Sequence, residues 1–175
     1  MRKLRMEELN RKSVDEFKRS DKNKVIAVLE NIRSAYNVGS VFRTADAFLI
    51  ESVYITGYTA RPPHKEITKT ALGAQDSVDW KYFQNSKQAI EDLRSQHYKI
   101  FAVEQAMDSI SLENMNDLLT EKVAFIFGNE VSGVDQETIL YCDGCIEIPQ
   151  FGMKHSLNIS VAAGIVLWEA VKKLI

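Results

Sequence analysis

The sequence predicts an α/β protein built on a mostly parallel sheet with helices on both faces. Two observations carry that prediction. After residue 24, short apolar runs suited to buried strands alternate with segments of helical period, and strand–helix–strand repeated in this way closes through crossovers into parallel pairs. The turns that follow several of these strands are polar or glycine-bearing and lead into helices, as expected where an open sheet of this class binds ligands.

Residues 1–24 form a basic arm with nine Lys/Arg against five acids, whereas residues 25–175 hold 13 basic against 19 acidic residues and the whole chain is at -2. Such an arm can touch a polyanion, and it can equally be a solvated amphipathic helix packed on the body. Strands are expected at 25–29, 52–56, 78–83, 99–104, 123–127 and 145–148. Helical patterns fall at 38–48, around 66–72, and at 86–96, 135–142 and 157–173. In the first of these, Val38, Val41, Phe42, Ala45 and Phe48 mark an inward face, with Asn37 placed to cap the N-terminus. In the last, Ser156 reads as the cap and Leu157, Val161, Ile165 and Trp168 as the apolar stripe.

A chain of 175 residues that is 45% hydrophobic supports one domain without disulfides or a structural metal. Its start is charged and has no apolar leader core, and no run approaches the ~20 apolar residues of a membrane span, so a soluble, cytoplasmic protein is expected. Cys142 and Cys145 resemble a redox pair or half a zinc site, but they sit between a helix and a strand and have no second ligand pair, so ordinary reduced thiols and no metal are expected.

The turns at 30–37, 128–134 and 149–156 are where chemistry should lie. In the first, Gly39 and Arg43 are four apart and share a helix face, which leaves room for a substrate beside the guanidinium; by spacing alone, Arg43 can equally pair with Asp46. In the second, Phe127-Gly128-Asn129-Glu130-Val131-Ser132-Gly133-Val134, a strand ends in a glycine that lets main chain approach a ligand, and Glu130 brings a carboxylate to the strand end. A tight turn with an Asn cap explains the same residues. The third runs from Ile148 to Gly164, and its small residues Ser160, Ala162, Ala163 and Gly164 allow another backbone or a subunit to come close. Helix cap and core account for most of it but leave the polar Asn158 without a role. No Gly-x-Gly-x-x-Gly and no Gly-Lys-Ser/Thr occurs, which argues against a nucleotide-dependent oxidoreductase and against a phosphate-cradling loop.

In this order and spacing, Asn37–Arg43, Phe127–Val134 and Ile148–Gly164 resemble the three motifs of the SpoU/TrmH branch of the SPOUT methyltransferases, over residues 25–175. The resemblance implies a Rossmann-like sheet with a C-terminal trefoil knot, which chain periodicity has no means of suggesting. It also implies a homodimer, and S-adenosylmethionine held in the knot loops. Carried over by position, Glu104, Gln105, Ala106, Gly128, Asn129, Ile148, Met153, Ser156 and Leu157 would bind the cofactor. Arg43 would be catalytic, with Asn37, Glu130, Ser156 and Asn158 positioning it, the cofactor or the ribose. Arg33, Arg43, Arg61, His64, Lys65 and Lys154 would hold tRNA or rRNA.

The implied reaction is in-line methyl transfer to a ribose 2′-hydroxyl without a metal, so orientation and help with the departing proton are its main needs. A guanidinium is a poor base, and the role expected of Arg43 is to bind the phosphate beside the target ribose and polarise the hydroxyl. The rival expectation is a catalytically silent RNA-binding or ribosome-assembly protein with the same fold, which would need no S-adenosylmethionine.

Overall fold

The computed structural model describes residues 1–117 and 121–172. A turn of 3-10 helix at Met6–Leu9 precedes α1 (Val14–Arg19), which Ser13 and Glu16 close with a reciprocal capping box. The chain continues through β1 (Asn23–Glu30), α2 (Ala35–Ala47), β2 (Ile50–Thr56), α3 (Lys65–Ala71), α4 (Ala74–Ser77) and β3 (Asp79–Phe83). Then come α5 (Ser86–Ser95), β4 (Lys99–Val103), β5 (Ile110–Ser111), β6 (Val123–Phe127), α6 (Gln136–Tyr141), β7 (Gly144–Glu147) and α7 (Ile159–Val171). None of these helices is long and apolar enough to cross a membrane.

The strands form one sheet in the order β3-β2-β1-β6-β4-β7-β5, and every neighbouring pair is parallel. From β1 the chain winds outward to β3; on the other flank it builds β6, β4, β7 and β5. The winding therefore reverses between β1 and β6, and their register, Val25 opposite Val123 through Leu29 opposite Phe127, sets the two strand ends side by side. That reversal point is where an open parallel sheet leaves a crevice.

Alternate residues of the central strands serve two cores. Val25, Ala27, Leu29, Phe125 and Phe127 pack under Val38 and Phe42 of α2, Ile67 of α3, and Ala163 and Leu167 of α7. On the other face Ile26, Val28, Ala124 and Ile126 meet Ile90 and Leu93 of α5. Burial on both faces is the reason these strands read as unbroken apolar runs. All six expected strands are present. The two-residue β5 and the four-residue α4 are too short to leave a periodic signal. Within the basic arm, α1 packs against α4 with Phe17 buried, as the amphipathic-helix reading allowed.

Three local expectations are corrected. The cap of α2 is Ser34, whose hydroxyl accepts from Asn37 N, so Asn37 lies inside the first turn. The cap of α7 is Asn158, not Ser156, and Leu157 precedes the helix; the expected end at Lys173 lies outside the described residues. The buried face of α7 is Ile159, Ala163, Val166, Leu167, Ala170 and Val171, whereas Val161, Ile165 and Trp168, expected as its core stripe, are 51%, 38% and 48% exposed. The helix is apolar nearly all round, and in that case periodicity does not choose the buried side.

Candidate active site

Where β1 and β6 end together, one carboxylate stitches their loops. Glu130 accepts from Arg33 N (2.9 Å), Ser34 N (3.1 Å) and Asn37 Nδ2 (3.0 Å), which places a negative charge at the start of α2, where the helix dipole favours it. Burial pushes the Glu130 carboxyl upward, but the donors from Arg33, Asn37, its own amide and Ser34 outweigh that and leave it below the usual carboxylate range. Asn37 Oδ1 in turn accepts from Asn158 Nδ2 (3.2 Å), and Asn158 Oδ1 caps α7 by accepting from Ser160 N (2.9 Å) and Ser160 Oγ (2.6 Å). A continuous hydrogen-bonded chain, Glu130–Asn37–Asn158, thus joins the three segments singled out in the sequence.

At their other ends, α2 and α7 touch through Phe48 and Trp168, whose rings lie 5.6 Å apart. The two helices run side by side in one direction.

Asn129 shapes the loop after β6. Its side chain accepts from Val131 N (2.8 Å) and Ser132 N (3.0 Å) and donates to Asn31 O (2.8 Å) and the Tyr58 hydroxyl (2.7 Å). The loop folds so tightly that a Cβ on Gly128 would stand 2.1 Å from Gly133 C and Val134 N. The glycine expected to admit a ligand is therefore required first by the chain's approach to itself. Glu104 accepts from Gln105 N (2.9 Å) and Val134 N (3.1 Å), while Gln105 Nε2 donates to His155 O (2.8 Å). These bonds draw the segments 104–107, 128–134 and 149–157 around a cavity of about 910 Å³.

Glu104, Gln105, Ala106, Gly128, Asn129, Ile148, Ser156 and Leu157 line this cavity, as does Glu130. Met153 does not, and it stands 84% exposed. Asn37 and Asn158 are not part of the lining and reach Glu130 through the hydrogen-bonded chain. Arg43 is exposed on α2, outside the cavity lining, with no hydrogen bond or ion pair among the described residues. Its alternative partner Asp46 instead accepts from Ser77 Oγ (2.7 Å). Gly39 opens no room for a substrate, since a Cβ there would meet Thr70 Oγ1 at 2.1 Å and Ile67 O at 2.4 Å, so it serves the close approach of α3.

The expected RNA contacts fall into two groups. Arg33 and Lys154 are exposed in the loops that border the cavity. Arg61 lies over the Tyr82 ring (4.0 Å to its centroid), His64 caps α3 by accepting from Glu66 N (3.2 Å), and Lys65 begins that helix. Two kinds of residue escaped the sequence reading. Met107, Val131 and Leu140 rim the cavity at 93%, 77% and 76% exposed, and Tyr58 braces Asn129; Met107, Val131 and Tyr58 lie outside the periodic patterns, and Leu140 faces solvent from within one. The cysteines are free thiols that donate to Thr138 O and Glu104 O, and burial pushes Cys142 up to about 12 and Cys145 upward, so both stay protonated at neutral pH.

Residues 24–168 match the SpoU rRNA methylase family. The tRNA (guanosine(18)-2′-O)-methyltransferase of Thermus thermophilus is 28% identical over 95% of this chain and 84% of its own length. The 23S rRNA (guanosine-2′-O-)-methyltransferase RlmB of Haemophilus influenzae is 31% identical over 95% and 67%. Among solved structures, the AdoMet-bound rRNA methyltransferase from Sinorhizobium meliloti superposes with a TM-score of 0.82 at 26% identity, over 89% of this chain and 58% of that one. The Aquifex aeolicus TrmH/SpoU tRNA modifying enzyme gives 0.80 at 26% identity, over 91% and 80%. With a family match spanning most of its length and its three motif segments joined by one hydrogen-bonded chain, the chain belongs to the SpoU rRNA methylase family.

Proposed function

We propose that the chain is an S-adenosylmethionine-dependent RNA methyltransferase that acts on a ribose 2′-hydroxyl of tRNA or rRNA, as a cytoplasmic homodimer. The observation that carries this reading is the Glu130–Asn37–Asn158 chain beside the 910 Å³ cavity, which gives each of the three family segments a share in one site. The names of the relatives support the chemistry, since they methylate guanosine 2′-O positions in tRNA or 23S rRNA.

The residues present fit the cofactor. The cavity falls in the size range of small-molecule sites, and Val103, Phe127, Ile148, Leu157 and Ile159 give it apolar walls for a purine ring. Along residues 149–157, the hydrogen bond to His155 O is the only one among the described residues before the α7 cap, so the loop's peptide groups remain available for polar edges. Glu104, Glu130 and Asp135 supply negative charge to balance a cation. Backbone groups near Gly128, Ile148 and Leu157 would hold the nucleoside. When bound, S-adenosylmethionine supplies an electrophilic methyl on a sulfonium.

The chain's own part is orientation and charge. Glu130, with three donors on its two oxygens and its carboxyl held below the usual range, is a poor base; it locks the start of α2 in place. Asn37 passes that constraint to Asn158 and so to the loop before α7. Arg43, unengaged among the described residues, binds the phosphate next to the target ribose and polarises its 2′-hydroxyl, while the proton leaves to phosphate or water.

The same helices support the homodimer reading. Val161, Ile165 and Trp168 leave an apolar strip exposed along α7, continued by Leu157 just before it, and α2, with Arg43, runs beside it. Arg43 lies outside its own cavity lining, and a second copy packed on this strip is how a guanidinium would reach each site. The trefoil knot belongs to the same proposal. From β7, which lies beyond β4, the chain returns in α7 to pack on α2 and β1, and its loop is tied to Gln105 on the way.

Titration calorimetry with S-adenosylmethionine, followed by methyl-transfer assays, tests the reading. Wild type and Arg43→Lys should bind the cofactor alike, while turnover of the Lys variant falls about a hundredfold as bidentate geometry is lost. Absence of cofactor binding by wild type would overturn the reading, and equal turnover by Arg43→Lys would remove the role given to the guanidinium.

A further inference from the structure

Two tyrosines at the carboxyl ends of β2 and β3 are exposed yet held at their hydroxyls. Tyr58 is 64% exposed, and its hydroxyl accepts from Asn129 Nδ2 at 2.7 Å. Tyr82 is 40% exposed, and its hydroxyl donates to Gly57 O at 3.1 Å. Between them Gly57 takes a left-handed turn (φ 63°), where a Cβ would meet Asn31 Oδ1 at 1.9 Å, so the link between the rings is short and fixed in shape. The Arg61 guanidinium stands 4.0 Å from the Tyr82 centroid, and His64 and Lys65 follow it in the chain.

A solvent-facing ring with its hydroxyl tethered leaves apolar surface in water that folding of this chain does not cover. It also loses little further freedom when something stacks on it. Aromatic faces next to a guanidinium, with the Lys65 ammonium a few residues further along the chain, match the chemistry of unpaired nucleotides: bases stack on rings and arginine planes while phosphates meet the cations. A duplex offers no free base face to such a surface. Position supports the same occupant. The hydroxyl of Tyr58 ends on Asn129, whose backbone and neighbours form the cavity wall, so a strand lying across Tyr82 and Tyr58 would be led toward the site.

We infer that Tyr58, Tyr82 and Arg61 form a stacking platform for unpaired nucleotides of the RNA substrate next to the one that is methylated. This rests on the proposed RNA methyltransferase reading and deepens it, because it assigns recognition of single-stranded RNA to residues outside the family motifs.

The test uses the full chain, fluorescence anisotropy with an unmodified tRNA transcript and with a short single-stranded oligoadenylate, and calorimetry with S-adenosylmethionine. Tyr58→Ala and Tyr82→Ala should each weaken both RNAs by about tenfold, and the Phe variants should recover most of that affinity, because the ring supplies the contact. Tyr82→Ala, outside the cavity lining, should bind S-adenosylmethionine as wild type does, which shows that the fold and cofactor site are intact. Unchanged RNA affinity in both Ala variants, with cofactor binding preserved, would overturn the platform and leave the methyltransferase reading standing. Loss of RNA affinity in the Phe variants equal to that in the Ala variants would reduce both tyrosines to struts for neighbouring loops and also overturn it. A change in sedimentation with RNA affinity intact would make the surface a protein contact, again against the inference. Absence of cofactor binding by wild type would instead strike the parent reading.

Discussion

At Glu130 a carboxylate closes the N-terminus of one helix and, through an asparagine, steadies the start of another. Glu130→Gln keeps the shape but removes the charge and turns one acceptor into a donor, so a loss of about 1–2 kcal/mol of stability is expected in urea unfolding, with weaker cofactor binding. The sign of its pH dependence follows from the lowered carboxyl. A group whose folded pKa is depressed stabilises above its unfolded value and loses that contribution as pH falls through the folded one. The stability gap between wild type and Glu130→Gln should be full near neutrality and narrow as pH falls past the ordinary glutamate value of about 4.3 and through the depressed folded one. A gap that stays constant into acid would contradict the charged role. Part of this was legible as residue types: Glu130 stands out as a carboxylate at a strand end, and Asn37 and Asn158 as polar residues at helix starts. Their mutual bonds were not, because contacts across more than ninety residues leave no mark in local spacing.

Among the elements, α7 shows where periodicity stops informing. Its apolar residues surround the helix, and what settles the buried side is the packing of Ala163 and Leu167 against β1 and α2. Gly39 makes the same point in reverse, since its absent side chain answers to α3 and not to a substrate. Gly39→Ala should therefore destabilise the chain by about 1–3 kcal/mol in chemical denaturation, because the Ile67 carbonyl and Thr70 crowd the added methyl. If stability held and only activity fell, the glycine would be making room for substrate after all. Asn158→Ala removes a helix cap, which costs about 1 kcal/mol, and also breaks the link to Asn37; cofactor affinity should fall along with stability. An affinity unchanged despite the lost stability would mean the link does not position the loop.

For the whole molecule, the alternation of strands and helices was enough to read the sheet and its parallel sense, and to point to the strand ends where the cavity lies. Strand order was not readable, since β6 inserts between β1 and β4 by packing that no chain-local pattern records. Nor was the apolar strip on α7, which reads as core until the sheet is seen to occupy the other side. The strip predicts that wild type sediments as a dimer and that Ile165→Glu gives a folded monomer with little methyl transfer, because the substitution falls on surface that is exposed within one chain. An Ile165→Glu protein that stays dimeric and active would exclude this face as the interface. The central claim, that these loops and Arg43 serve methylation of a ribose, is tested most directly by letting the chain transfer an isotopically labelled methyl group from S-adenosylmethionine to RNA, then digesting the RNA to nucleosides for mass spectrometry. The account predicts the label on the ribose as a 2′-O-methylnucleoside; label on a base, or no label with cofactor bound, would contradict it.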